Sequence, residues 1–393
     1  MGIFIILILT DLFVWWRLLT DMKKNSRVAL ALAIAVKSIM TALLLWLITG
    51  MIFYRGDFAD PANAFGNIAF GTVAALTITI GISYSAISIS IRILSRMLHR
   101  RLTLLTWANI IFAGVIIILF ADGYFRQRFD VRTITQEIIV DNLDHRLERM
   151  KIVLISDLHL SSYYGHYDRL EDVIESVNDL EPDILFNTGD FITYGWQEFG
   201  GCDTILRRAR STIGAFAIPG NHDDGTYYTD FDEAYGEECT EMINRKVAAS
   251  GYTMLNDSFL TVSYKGAGIL IAGVITHGHH LDMRYGDFEK AMSSPDTSAL
   301  KILLVHDPAA WDTVRFLPTE YDLTLSGHTH GMQVGLPTPW GTITPASYFH
   351  KYWGGHYEFK GMDLFVTTGL GTMGLAERIF MPPEIVLLTL KSK

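Results

Sequence analysis

Asp157-Leu-His159 places a carboxylate and an imidazole one residue apart. In extended chain both side chains leave on the same side, and together they can hold one divalent ion. Gly189-Asp190, taken alone, is a turn after a strand. Gly220-Asn-His-Asp223 says more, because glycine lets the backbone turn tightly and Asn221 and His222 follow at once. Gly327-His-Thr-His330 repeats the one-residue spacing with two imidazoles, His328 and His330, beside a glycine turn. His306 directly follows an apolar run and by itself could be a lone core histidine, but its place among the other groups argues against that.

These groups need a frame that delivers them to one place. Lys151-Ile-Val-Leu-Ile-Ser156 reads as a buried strand ending at Asp157, and Pro182 to Asn187 as the next, ending at Gly189-Asp190. Between them Leu170 to Leu180 has helical periodicity, with Leu170, Val173, Ile174 and Val177 on one face. Ala215–Ile218 ends at Pro219-Gly-Asn-His-Asp223, and Asp322–Ser326 ends at Gly327-His-Thr-His330. Ile269–Ala272, Lys301–Val305, Leu364–Thr367 and Glu384–Leu390 complete the set of strands. The polar residues therefore recur just past the C-terminal ends of strands, where active sites of α/β sheets gather.

The order D-x-H, GD, GNHD, a strand-terminal His and GHTH resembles the calcineurin-like metallophosphoesterase superfamily, and within it the membrane-anchored envelope phosphoesterases. That branch is also similar to the UDP-2,3-diacylglucosamine hydrolases. The resemblance covers about residues 150–393 and includes the run Ile302 to Pro308, Gly369-Leu-Gly371 and Pro383-Glu-Ile385. It implies an α/β domain of two mixed β-sheets in a sandwich flanked by helices. It implies that Asp157, His159 and His330 hold one metal, that Asn221, His306 and His328 hold another, and that Asp190 bridges the two. His222 is expected to touch the substrate phosphate or protonate the leaving oxygen, with Asp223 orienting it. Two ions about 3.5–4 Å apart can share a hydroxide and clamp phosphoryl oxygens for in-line attack. Nitrogen and oxygen donors without thiolate suit Mn, Fe or Zn, with Mn favoured. No covalent nucleophile is needed, and Ser156 and Ser326 are expected to support the backbone. Two stretches depart from the family pattern: Thr276-His-Gly-His-His280, whose His277, His279 and His280 are expected in a polar loop, and Met373 to Arg378, more acidic than in relatives.

The first third of the chain is of another kind. Apolar runs over roughly 2–20, 28–53, 66–91 and 103–121 are each long enough to cross a hydrocarbon core of about 30 Å as a helix. The expected organisation is a membrane domain of four transmembrane helices at 1–121, a connection at 122–149 with a strand-like run from Gln136 to Val140, and the phosphoesterase domain at 150–393. Arg17, Lys23, Lys24 and Arg27 follow span one, and Arg92, Arg96, Arg100 and Arg101 follow span three, whereas Arg55 is offset by Asp57 and Asp60 in the second loop. Loops one and three are therefore expected in the cytoplasm, and the catalytic domain outside it. Arg126, Arg128 and Arg132 after span four pull the other way. Asp11 and Lys37 are expected at similar depth in adjacent antiparallel helices, as a structural ion pair.

The net charge is −10, with no basic stretch beyond Arg96 to Arg101, which excludes nucleic acid as the main partner. Cys202 and Cys239 are too few for a disulfide framework or a Cys-based zinc site, and whether they pair stays open. The expected partners are the membrane and a phosphate-containing lipid or other envelope substrate. A cytoplasmic-face hydrolase of a nucleotide-linked lipid such as UDP-diacylglucosamine is the alternative, and a metal-stabilised membrane scaffold the non-enzyme alternative. Tyr163, Tyr164, Trp196, Tyr227, Tyr228, Trp340, Tyr348, Tyr352 and Trp353 fall in the loops, some at headgroup level and most expected to pack beneath them.

Overall fold

The computed structural model describes residues 2–22, 27–53, 56–278, 283–291, 293, 298–317 and 320–393. Lys23, Lys24, Arg55, His279 and His280 lie outside the described residues. The chain divides into a helical unit (Met1–Gly56, Gly66–Phe125 and Gly374–Glu377) and a second unit (Asp57–Phe65, Arg126–Met373 and Arg378–Lys393).

In the second unit the central strands are apolar on both faces because both faces are buried. Lys151–Ile155 shows the rule: Ile152 and Leu154 enter the core between two sheets, while Val153 and Ile155 point to the helices outside. The first sheet runs in the order Arg132–Val140, Glu384–Ser392, Lys151–Ile155, Ile184–Asn187, Gly214–Ala217, Tyr252–Met254. The second runs Gly355–Phe359, Met362–Val366, Leu323–Ser326, Leu300–Val305, Ala267–Val274, Ser258–Tyr264. Both are mixed: each has a central parallel set and antiparallel pairing by Glu384–Ser392 in one sheet and by both edge strands in the other. Ile184, Phe186 and Phe216 from the first sheet meet Ile269, Ile271, Ile302, Leu304 and Leu325 from the second.

The helix Tyr167–Asp179 covers the outer face of the first sheet with Leu170, Val173, Ile174 and Val177, all buried. Each contributes roughly 1.5–3 kcal/mol of burial. The strand expected at Gln136–Val140 begins earlier, at Arg132, and pairs in parallel with Glu384–Ser392 along its whole length. Ser258–Tyr264 and Gly355–Phe359, absent from the sequence reading, are edge strands of alternating exposure. Their polar alternate residues hide them from a search for apolar runs.

The helical unit contains Gly2–Met22, Arg27–Phe53, Pro61–Met97 and Thr103–Phe125. Three stretches, Ala33–Gly50, Pro61–Met97 and Thr103–Phe129, are long and apolar enough to cross a membrane. Pro61–Met97 has 37 residues, about 55 Å of helix, and outruns a hydrocarbon core of about 30 Å. Gly2–Met22, the remaining helix, carries Asp11 and Arg17 among its buried residues. The Lys37 ammonium meets the Asp11 carboxylate, and Thr41 Oγ1 donates to Asp11 Oδ2 at 2.8 Å. Arg17, read as a loop charge, instead lies within its helix and donates from Nη2 to Ser88 Oγ.

Candidate metal centre

Parallel register brings the C-terminal ends of neighbouring strands level: Ile155 pairs with Asn187, Asn187 with Ala217, and Leu304 with Leu325. The loops that follow are laced together by their backbones. Asp157 N donates to Gly189 O at 2.9 Å, His159 N to Asp190 O at 3.1 Å, and Gly327 N to His306 O at 3.0 Å. Asp157, His159, Asp190, His328 and His330 all have positive φ, between 40° and 73°. For residues with a Cβ this conformation costs energy and persists where surroundings enforce it, as at functional sites. Two glycines permit the crowding. A Cβ on Gly220 would strike Asp190 Oδ1, and one on Gly327 would strike Ser156 Oγ and Asp157 Oδ2.

All seven side chains singled out as ligands converge. The donor atoms of Asp157, His159 and His330 form one group, and those of Asp190, His306 and His328 a second, each group within 4.8 Å. Asp190 Oδ2 stands between the groups, 3.7 Å from His159 Nε2 and 3.0 Å from His306 Nε2. Asn221 Oδ1 lies 2.9 Å from His328 Nδ1, and Asn221 Nδ2 donates to the Tyr227 hydroxyl at 3.1 Å, which turns the amide oxygen inward.

The outer nitrogens are anchored in the manner of metal-binding histidines. His306 Nδ1 donates to Thr188 O at 2.7 Å, which leaves Nε2 directed at Asp190. His159 Nδ1 meets Thr193 Oγ1 at 3.1 Å, and its Nε2 faces His330 Nε2, also at 3.1 Å. A neutral imidazole that spends its proton outward presents a lone pair inward. Two inward nitrogens carry protons instead: His306 Nε2 faces the Asp190 carboxylate, and His330, which accepts from Arg378 at Nδ1, directs its Nε2 proton at His159; a divalent ion would take the place of these protons. Burial and neighbouring charges set which groups of the cluster are ionised. Burial, with the Asp190 charge adding to it, pushes the Asp157 carboxyl up to about 7. Burial pushes His159 down to about 3 and, with His306 beside it, His328 down to about 4. Burial works against charge on His306 and Asp190 too, but each is held charged by the other: His306 rises to about 10 and Asp190 falls well below the usual carboxylate range. The donor set and its outer anchors fit divalent ions.

His222 lies against this cluster. Its backbone N–H donates to Asp190 Oδ1 at 2.9 Å, its Nδ1 donates to Thr193 O at 2.7 Å, and its ring stacks on Tyr227 with centroids 4.1 Å apart. The expected role of Asp223 as the orienting partner of His222 is corrected here. Its carboxylate accepts from the backbone N–H groups of Asp190, Phe191, Ile192 and Gly220 at 2.8–3.3 Å. Asp223 therefore ties the two ligand loops to each other, and Thr193 orients His222. His277 stays outside the cluster, with Nδ1 3.4 Å from Asp224 Oδ2. Both cysteines are buried free thiols.

Three supporting residues escaped the sequence reading. Thr193 anchors His159 through its hydroxyl and His222 through its carbonyl. Glu198, wholly buried, accepts from the N–H groups of Thr193 and Gly195 at 3.0–3.2 Å and from that of Tyr194. Arg378, also wholly buried, donates to Gly371 O at 2.7 Å and Thr368 O at 2.9 Å and reaches within 3.4 Å of His330 Nδ1. The one available signal was an arginine and a glutamate inside otherwise apolar or glycine-rich loops.

A sequence profile described as calcineurin-like phosphoesterase matches residues 150–332. YkuE of Bacillus subtilis, an uncharacterized metallophosphoesterase, is 34% identical over 257 residues, which cover 64% of this chain and 82% of that protein. A metallophosphoesterase of Helicobacter pylori strain J99 is 27% identical over 347 residues, 87% of this chain and 86% of its own length. The Danio rerio transmembrane protein with metallophosphoesterase domain is 28% identical over 272 residues, 66% of this chain and 57% of that protein. The chain belongs to the calcineurin-like phosphoesterase family. It is a metal-dependent phosphoesterase, and its family implies divalent metal ions.

Proposed function

We propose a membrane-anchored two-metal phosphoesterase that hydrolyses a phosphodiester or phosphomonoester of a lipid or other envelope component. The observation that carries this reading is the pair of facing donor groups with Asp190 between them. In it Asp157, His159 and His330 hold one ion, Asn221, His306 and His328 the other, and Asp190 both. Bound divalent ions, with Mn favoured over Fe or Zn, would supply positive charge to the phosphoryl oxygens and acidify water. The chain supplies the rest. Burial excludes competing solvent, and Asp223, Thr188 and Thr193 hold the ligands at fixed angles. His222 stands ready to protonate the leaving oxygen. Its Nδ1 proton is committed to Thr193 O, so it must enter the step as imidazolium and give up the Nε2 proton. The face of Tyr227 beside it favours that cation.

Anchoring rests on the three stretches of spanning length and on the transmembrane relatives. The proposed orientation puts the catalytic unit outside the cytoplasm, supported by Arg92 and Arg96 near the C-terminal end of the third helix and by Arg100 and Arg101 between it and the fourth. Of the opposing charges after the fourth helix, Arg128 loses weight because it is buried and donates to Ser162 O, while Arg126 and Arg132 remain exposed beside Asp130. Full-length protein with Mn should hydrolyse bis(p-nitrophenyl) phosphate or p-nitrophenyl phosphate and lose that activity in EDTA. Activity indifferent to EDTA and to His328→Ala would overturn the reading. A C-terminal alkaline phosphatase fusion tests the orientation separately: an inactive fusion in intact cells would place the catalytic unit inside and bring forward nucleotide-linked lipids.

A further inference from the structure

One surface stretch of the second unit carries no charged side chain of its own. Between Asp322 and Lys351 there is no Asp, Glu, Lys or Arg, in a chain of net charge −10. The first part of this run is the buried strand Leu323–Ser326 and the ligand turn. The part from Leu336 to Phe349 is at the surface and strongly apolar. Leu336–Thr338 pairs antiparallel with Gly341–Ile343, and Trp340 at the tip is 93% exposed. Thr338 Oγ1 donates to Gly341 O at 2.6 Å and accepts from Trp340 N at 3.3 Å, so a bonded turn holds the indole outward. Tyr348 and Phe349 are 86% and 74% exposed on the short helix Ala346–Phe349, which Thr344 caps through Ala346 N at 3.2 Å. Leu336, Ile343 and Phe380 are exposed as well, the last joined to this surface through Gly335 N, which donates to Ile379 O.

The surface is built into the metal centre. His328 and His330 open the same segment, Thr344 Oγ1 donates to Gly331 O at 2.7 Å, and the His350 ring stands 5.7 Å from that of His328. Apolar area left in water is unfavourable by about 25 cal/mol per Å², and contiguous exposed patches mark interaction sites. Two features select the partner. Trp and Tyr favour the boundary where one end of the ring is dry and the other wet. A stretch without Asp, Glu, Lys or Arg suits contact with acyl chains, whereas protein interfaces carry a polar rim. The same chain also carries three helical stretches apolar enough to cross a bilayer.

We propose that the Leu336–Phe349 surface seats in the lipid bilayer surface, with Trp340, Tyr348 and Phe349 at the headgroup–acyl boundary. Phosphate esters held in that surface then come within reach of the metal centre, a consequence that rests on the phosphoesterase reading. The docking itself does not.

The test uses full-length protein in phosphatidylcholine–phosphatidylglycerol nanodiscs. A fluorophore is attached at Trp340→Cys, at Phe349→Cys as a second variant, and at Lys265→Cys on an exposed turn as the reference; Cys202 and Cys239 are buried. Lipids carrying a nitroxide near the headgroup should quench the labels at 340 and 349 about twofold more than the label at 265, with iodide in the water showing the reverse order. Iodide quenching at 340 and 349 equal to that at 265, or protection from both quenchers by a second copy or another protein, would overturn the proposal. Hydrolysis of bis(p-nitrophenyl) phosphate is measured on the same unlabelled preparation. Hydrolysis without lipid quenching would remove the docking and leave the phosphoesterase standing; lipid quenching without hydrolysis would do the opposite.

Discussion

Each unit of the molecule buries charge, and the two do so differently. In the helical unit Asp11 and Lys37 neutralise each other, and Thr41 donates to the remaining carboxylate oxygen. The pair is closed and needs nothing further. In the second unit Asp157 and Asp190 are buried among four imidazoles whose inward nitrogens face carboxylates or one another. That cluster closes only in part: His306 is charged against Asp190, while His159, His328 and the Asp157 carboxyl are pushed toward their neutral forms, and the donors of both groups still converge on the places an ion would take. Two buried charges with no further donors around them make structure, and many buried donors converging on one place make a site for an ion.

The comparison can be broken at its strongest point first. Asp190→Asn removes the carboxylate standing between the two groups. Metal content, read by atomic spectrometry, should fall by about half or more, and hydrolysis of bis(p-nitrophenyl) phosphate by about 10³-fold. Full metal content with unaltered turnover would end the two-ion reading. His222→Ala sharpens the division between holding ions and moving protons. Its turnover should drop by about 10²–10⁴-fold with metal content unchanged. The loss should be larger for an alkyl ester than for a p-nitrophenyl ester, whose leaving group needs no proton. A uniform loss across leaving groups would assign His222 to phosphate binding alone.

The closed pair makes the opposite forecast. Asp11→Asn and Lys37→Met should each cost about 3–5 kcal/mol in a detergent-micelle unfolding assay, and the double variant much less than their sum. Strict additivity would show that the two charges do not depend on each other. Neither single change should alter metal content. The smallest effect concerns an anchor. Thr193→Val deletes the hydroxyl at His159 Nδ1 but keeps the carbonyl that holds His222. Metal affinity should weaken by about 10-fold, with the leaving-group dependence unchanged.

The helical unit and the metal centre were legible to different depths. Apolar runs reported every helix of the first, because a segment buried in lipid or against other helices must be apolar along its length. They did not report that Arg17 belongs inside the bundle, since its partner Ser88 is far away in sequence. In the second unit the candidate ligand residues were legible as a converging set because each lies shortly after the end of a strand, and strand ends converge in a parallel sheet. Asp223 was misread for the opposite reason. Its neighbour in sequence is His222, but its carboxylate reaches across to the Asp190 loop.

By itself, the sequence determined the strand-and-turn grammar, the seven converging side chains and the long apolar helices. These depend on local spacing and on the side-chain chemistry of single segments. The Asp11–Lys37 pair was legible from depth along two apolar runs, but tertiary structure alone paired Arg17 with Ser88 and turned Asp223 to the Asp190 loop. It placed Thr193, Glu198 and Arg378 behind the ligands, and it left Trp340 in the open while burying Tyr163 and Tyr352. Each of those outcomes depends on what another, distant segment brings to the same place, and that information is carried by the packing of the two sheets rather than by any one stretch of chain.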